Sequence, residues 1–252
     1  MIAAIMQPTF LPWIGYFDLI DQVEIFVFLD NVQFEKQSWQ QRNRIRTLNG
    51  LEWLTVPVYI KGRFGQTIRE VEIKIDTFPE KQIKMLQHHY SKAPYFNEYW
   101  PELEAILCNA KKDQALARLN MALIRWMSGL LGISSRYVLA SDLNVEKGRS
   151  ERLVDILKNI GADRYLTPRG SIEYLSQDRE VFARAGIPIL FHTFVHPEYR
   201  QRFTPFKIGA SAIDMLFNEG AAGTADLMRS SRGLSERFED VMEKNKDTVH
   251  AY

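Results

Sequence analysis

The chain has 252 residues, 46% hydrophobic and 25% charged, the balance of a folded globular protein that can bury a core without disulfides or metal. Thirty-two basic against 31 acidic side chains leave a net charge of +1, which argues against general nucleic-acid binding, a class that carries a basic excess. The single cysteine, Cys108, excludes an intrachain disulfide. The first residues, MIAAIMQPTF, lack the basic head and long apolar core of a secretion signal, and no apolar run reaches the roughly 18 residues of a membrane span, so a cytoplasmic location is expected.

Ile2 to Met6 is a short apolar run, broken by Gln7-Pro8-Thr9 because proline cannot continue a strand ladder. Trp13, Tyr16, Phe17 and Ile20 recur at helical spacing, and Glu24 to Leu29 reads as a buried parallel strand ending at Asp30-Asn31. Residues 45–75 read as a β-ribbon: Asn49-Gly50 is a hairpin signal, and 67–75 (TIREVEIKI) alternate as a half-buried strand. Residues 78–132 read as a helical insertion of three helices, over 78–90, from Pro101 in a first turn to Cys108, and over 114–131 up to Gly132.

A second strand–helix rhythm follows. Strands are expected at 136–140, 164–167 and 188–195, and helices at 151–160, 178–185 and 212–217, the last stopping at Asn218-Glu219-Gly220. The pattern predicts one α/β domain over 1–235, a Rossmann-like parallel or mixed sheet carrying the ribbon and the helical insertion. Residues 236–252 read as a polar, flexible tail.

Ligands of open α/β sheets bind beyond the carboxyl ends of the strands, where Gln7–Thr9 and Asp30–Lys36 both fall. Amide nitrogens at the helix start after Gln7 and Thr9 suit an anion, and Gly15 permits close backbone approach. Asp30, Gln33, Lys36, Arg42, Asn43 and Arg44, interleaved with Phe34 and Trp39, form the richest polar cluster. Arg42 and Arg44 suit a diphosphate, Trp39 or Tyr16 a base or sugar face, and Asp30 a general base. The bland alternative is a solvated loop. His88 and His89 end a helix, whose dipole favours the protonated ring; His89 is a candidate general base, with a simple cap as the equal alternative. His192 and His196 are too far apart on an extended strand to share a metal, and no zinc site is expected. Asp214 and Asn218 share a helix face and read as a cap; Cys108 reads as a buried, inert small residue.

Three stretches are distinctive: MQPTFLPWIGYFDLI (6–20) with LDNVQFEKQSWQQRNRI (29–45), YLTPRGSIEYL (165–175) and FTPFKIGASAIDMLFNEG (203–220). Together they resemble the WbqC-like family over roughly residues 1–220, a family associated with O-antigen (lipopolysaccharide, surface polysaccharide) biosynthesis. The resemblance implies an acyl transferase, glycyl or aminoacyl, acting on a nucleotide-linked amino sugar. The alternative is a non-catalytic nucleotide-sugar-binding or accessory protein of the same pathway. An ATP-activated acid, an acyl carrier protein thioester and a coenzyme A thioester all remain open as donors. Ala3 to Phe34 is also distantly similar to pantothenate synthetase and other nucleotidylyltransferase-like enzymes. Their His-x-Gly-His signature falls here on Trp13, Ile14, Gly15 and Tyr16, so both histidines are absent and phosphate handling must differ.

Overall fold

The computed structural model describes residues 1–145 and 148–249. Five parallel strands form its centre: β1 (Ile2–Met6), β2 (Ile25–Phe28), β5 (Arg136–Leu139), β6 (Arg164–Pro168) and β7 (Ile189–His192). The two-residue strand β8 (Glu236–Arg237) adds antiparallel to β7, giving the order β5-β2-β1-β6-β7-β8. The mixed Rossmann-like sheet expected from the strand–helix rhythm is therefore present.

Side-chain alternation explains why both faces are dry. Ala4, Phe26, Phe28 and Leu166 point to one face, covered by α1 (Ile14–Asp21), α4 (Leu116–Leu130) and α8 (Ala212–Ser230). Ala3, Ile5, Ile25, Val27 and Tyr165 point to the other, covered by α5 (Arg149–Asn159), α6 (Ile172–Gln177), α7 (Arg179–Ala185) and α9 (Phe238–Val249). From β1 the chain winds outward to β2 and β5, and from β6 to β7. The direction reverses between β1 and β6, and there the crossovers part to leave a crevice.

The separate ribbon pairs β3 (Arg42–Thr47) with β4 (Gly50–Thr55), turning at Leu48-Asn49 with Gly50 at φ 120°. It docks on the first face by main-chain and side-chain bonds. Ser211 N–H donates to the Arg44 carbonyl, and Arg46 N–H donates to the Tyr90 hydroxyl. Arg46 is 2% exposed, and its guanidinium donates to the carbonyls of Thr47, Phe203 and Pro205, pinning the 203–205 segment to the ribbon.

Several local expectations are corrected. Residues 67–75 form no third ribbon strand. Thr67 and Glu70 make a capping box around a 3₁₀ turn (Ile68–Glu70), and the segment pairs through single bridges, Gln33 to Thr67, Val58 to Ile73 and Glu72 to Ala115. The insertion does hold three helices: α2 (Glu80–Tyr90), α3 (Phe96–Asp113) and α4. However, α3 begins five residues before Pro101, because Phe96, Trp100, Leu103 and Leu107 bury one face and outweigh the bond that proline cannot make. Cys108 lies one residue past Leu107, turned outward and exposed. Gly220, at φ 71° and ψ 175°, kinks α8 instead of ending it. The tail expected from residue 236 starts with β8 and α9, held because Phe238 and Val241 are buried against the second face; residues 250–252 lie outside the described residues. Among the described residues no helix is long and apolar enough to cross a membrane.

Candidate functional site

Two cavities meet at the carboxyl edge of the sheet. The first, about 400 Å³, occupies the crevice between β1 and β6. Met6 and Gln7 follow from β1, Leu29 from β2, and Thr167, Pro168 and Ser171 from β6; Glu35, Ser38, Trp39 and Gln40 wall it from the loop after β2. The second, about 340 Å³, lies toward the ribbon and is lined by Pro12, Trp13, Tyr16, Asn43, Arg44 and Gly209. Met6, Thr9 and Trp39 line both, so the two are lobes of one cleft with a shared wall.

The chain's local chemistry builds this wall. After β1 the segment 7–12 is not a regular turn; Leu11 sits at φ 43°. Its carbonyls are captured by side chains: Asn43 Nδ2 donates to those of Phe10 and Leu11, and Asn120 Nδ2 to those of Pro8 and Gln40. Buried carbonyls outside a ladder need such partners, and two buried asparagines supply them. The Tyr16 hydroxyl donates to the Gln7 carbonyl at 2.9 Å, and burial pushes its pKa well above 10.0, so it stays a neutral donor. Gly15 has a steric role: a Cβ there would lie 2.2 Å from the Trp13 indole. The absent side chain lets Trp13 fold over α1 and stack at 6.0 Å on His196. Burial lowers the pKa of His196, whose Nδ1 bonds to the Pro197 carbonyl.

The ribbon side is basic and aromatic. Arg42 lies 4.1 Å from the centre of the Trp53 ring, and Arg44 lies 5.6 Å from Trp39 and 5.9 Å from Trp53. The two indoles are 5.3 Å apart. Neither guanidinium has a carboxylate partner among the described residues, and the Nε of each is buried without a bond. Cations stacked on indole faces keep their outer N–H groups free for an anion.

Two buried networks support the cleft. Asp18 on α1 binds His192 at 2.7 Å and Arg232 at 2.8 Å, fixing α1 to the end of β7. On α8, Asp214 accepts from Tyr199 at 2.6 Å and from Gln201 at 3.0 Å, ordering the loop that ends at Gly209. Burial raises the Asp214 pKa against these bonds. Asp214 is thus the centre of a buried network and not a cap, while Asn218 Nδ2 bonds the Asp214 carbonyl one turn back.

Of the residues singled out in the sequence, Gln7, Thr9, Tyr16, Trp39, Asn43 and Arg44 line the cleft, with Gly15 beneath it and Arg42 on its rim stack. Gln33 and Lys36 are exposed and line neither lobe. Asp30, 3% exposed, spends its carboxylate on the N–H and hydroxyl of Ser141. His89 ends α2 away from both lobes; burial and the neighbouring His88 lower its pKa, opposite to the expected effect of the helix dipole. The groups missed are Trp13, Glu35, Gln40, Thr167, Ser171 and Tyr174. Thr167 and Ser171 carried a usable signal, since they lie at the end of a strand and just beyond it, as Gln7 does. Among the described residues no three His, Cys, Asp or Glu side chains come together as metal ligands.

These features define a doubly wound α/β protein with its cleft at the point where strand order reverses. The chain belongs to the WbqC-like protein family, matched over residues 7–226. It is 35% identical over 219 residues to an uncharacterized protein of Mycobacterium tuberculosis, covering 86% of this chain and 94% of that protein. No solved structure matches it.

Proposed function

We propose that the chain is an enzyme that joins a small acyl group, glycyl or another aminoacyl group, to the amino group of a nucleotide-linked sugar in surface-polysaccharide synthesis. The adjacency of the two lobes carries this reading: a largely apolar crevice at the strand ends, with Gln7, Glu35, Thr167 and Ser171 on its walls, shares Met6, Thr9 and Trp39 with a basic, aromatic lobe. The nucleotide diphosphate pairs with Arg44, with Arg42 at the rim, and a base or sugar ring stacks on Trp39 or Trp13. The sugar hydroxyls face Thr9, Thr167 and Ser171 in the crevice.

In the reaction, the amine nitrogen attacks the acyl carbonyl carbon. The new C–N bond replaces the bond to the leaving group, a thiolate from a carrier-protein or coenzyme A thioester, or a phosphate from an ATP-activated acid. A base must take the amine proton. Asp30 is committed to Ser141 and His89 lies outside the cleft, so the role falls to Glu35, the carboxylate that lines the crevice.

Isothermal titration with UDP-glucosamine tests the acceptor half. Binding that weakens about 10- to 100-fold in Arg44→Ala, with melting unchanged, fits the loss of a charge-assisted phosphate contact. Equal affinity in both proteins removes the nucleotide from the ribbon-side lobe.

A further inference from the structure

The head of the crevice contains an amide whose orientation the surrounding bonds decide. Glu35 N–H donates to Gln40 Oε1 at 3.0 Å. Gln40 Oε1 is therefore the acceptor end, and its Nε2 donates at 2.9 Å to Gln7 Oε1. That in turn makes Gln7 Oε1 an acceptor and leaves Gln7 Nε2 as a donor. Gln40 is 1% exposed, and its main chain is held by Asn120, so it cannot swing away. The Gln7 main chain is held by Tyr16. Gln7 lines the crevice, and its NH₂ group donates to no protein atom among the described residues.

We infer that Gln7 is a fixed carbonyl-recognising donor. Its Nε2 binds the oxygen of a ligand carbonyl or carboxylate at the end of β1, and Gln40 acts as the positioning residue that prevents the amide from flipping. A primary amide that can flip offers donor or acceptor indifferently; one locked by a relay discriminates. If the acyl-transfer reading holds, on which this assignment of the ligand rests, the bound oxygen is that of the acyl group. Donation to it strengthens as the carbonyl oxygen gains negative charge under attack by the amine.

Gln7→Glu is the informative change. It keeps the oxygen that accepts from Gln40 and replaces the free donor with a negatively charged acceptor, so UDP-glucose serves as the control for the added charge. The side-chain NH₂ cross-peaks of Gln7, assigned by their absence in Gln7→Glu, are followed in ¹⁵N-labelled protein during titration with UDP-N-acetylglucosamine and UDP-glucose. The acetamido sugar is expected to shift them and UDP-glucose to leave them in place. Gln7→Glu is expected to lower the preference for the acetamido sugar over UDP-glucose about tenfold. Gln40→Met, which frees the Gln7 amide to flip, is expected to reduce the preference for the acetamido sugar over UDP-glucose.

If neither nucleotide sugar binds, the proposed acceptor is wrong, and glycine and N-acetylglycine serve as the carbonyl probes. A shift of the Gln7 peaks with either upholds the donor, and peaks that no carbonyl compound moves overturn it. An equal preference for the acetamido sugar over UDP-glucose in wild type and Gln7→Glu overturns it as well.

Discussion

The Trp13 indole lies across Gly15 so closely that a Cβ would stand 2.2 Å from its ring. This contact links the first turn of α1 to the ribbon-side lobe, which Trp13 lines. Alanine is the better helix former by about 1 kcal/mol, so Gly15→Ala would stabilise an isolated helix. Here it must displace a half-exposed indole instead. We expect Gly15→Ala to keep its fold and lose ligand affinity, measured by circular dichroism and calorimetric titration. An unchanged affinity would mean that the indole position is immaterial.

Arg44 and Arg46 neighbour each other on one face of β3 and have opposite roles. Arg44 is half-buried and unpaired, whereas Arg46 is enclosed and bonded to three carbonyls. Arg46→Ala is expected to cost about 3 kcal/mol, because three carbonyls, that of Thr47 buried, lose their donor and the side chain's enclosed packing is lost. Arg44→Ala should leave stability within about 0.5 kcal/mol of wild type. Urea unfolding of both variants separates the roles.

Asp30 ends β2 where a catalytic carboxylate was expected, yet its oxygens hold Ser141. Asp30→Asn keeps an acceptor for the Ser141 N–H but must donate to the Ser141 hydroxyl, exchanging two charge-assisted bonds for neutral ones, and is expected to cost about 1 kcal/mol. Ligand affinity at a temperature where the variant is folded should not change. A loss of affinity without a loss of stability would return Asp30 to the site.

Asp214 gives stability a pH dependence of definite sign. Burial raises its pKa above the ordinary 3.8, despite hydrogen bonds from Tyr199, Tyr90 and Gln201. The folded state then holds the proton more tightly than the unfolded state. Its contribution is full below 3.8 and is lost as pH rises through the raised value. Asparagine cannot titrate, so the stability of wild type relative to Asp214→Asn should fall as pH rises from 3.8 through the raised value. Parallel urea-unfolding midpoints over that range would contradict this sign.

The sheet was legible because its strands are short apolar runs set between helices with one apolar face. Only pairings close in sequence or periodic in pattern could be read this way. TIREVEIKI looks like alternation, but Thr67 and Glu70 at capping-box spacing, with Ile68 and Val71 three apart and buried, mark the turn that forms. Phe238 and Val241 carry the same three-residue spacing inside a segment whose polarity suggested a tail. In the site, Gln7 and Thr9 follow from the rule that ligands sit beyond strand ends, and Trp39 and Arg44 from the density of polar and aromatic residues between 30 and 44. Neither signal separates Asp30 from them, and His89 rests on its place at a helix end, which says nothing of a cleft. Whether a polar side chain faces a cleft or a buried partner depends on residues such as Ser141, more than 100 positions away in the chain.

The most direct test of catalysis at this cleft is mass spectrometry of UDP-glucosamine incubated with the protein and an activated glycyl donor. The donors are glycine with ATP and magnesium, glycyl-coenzyme A, and a glycyl carrier-protein thioester. The account predicts that one donor adds a glycyl residue to the sugar amine, and that Glu35→Gln binds the sugar but forms no product. A nucleotide sugar that binds in the cleft and stays unmodified with every donor would contradict it.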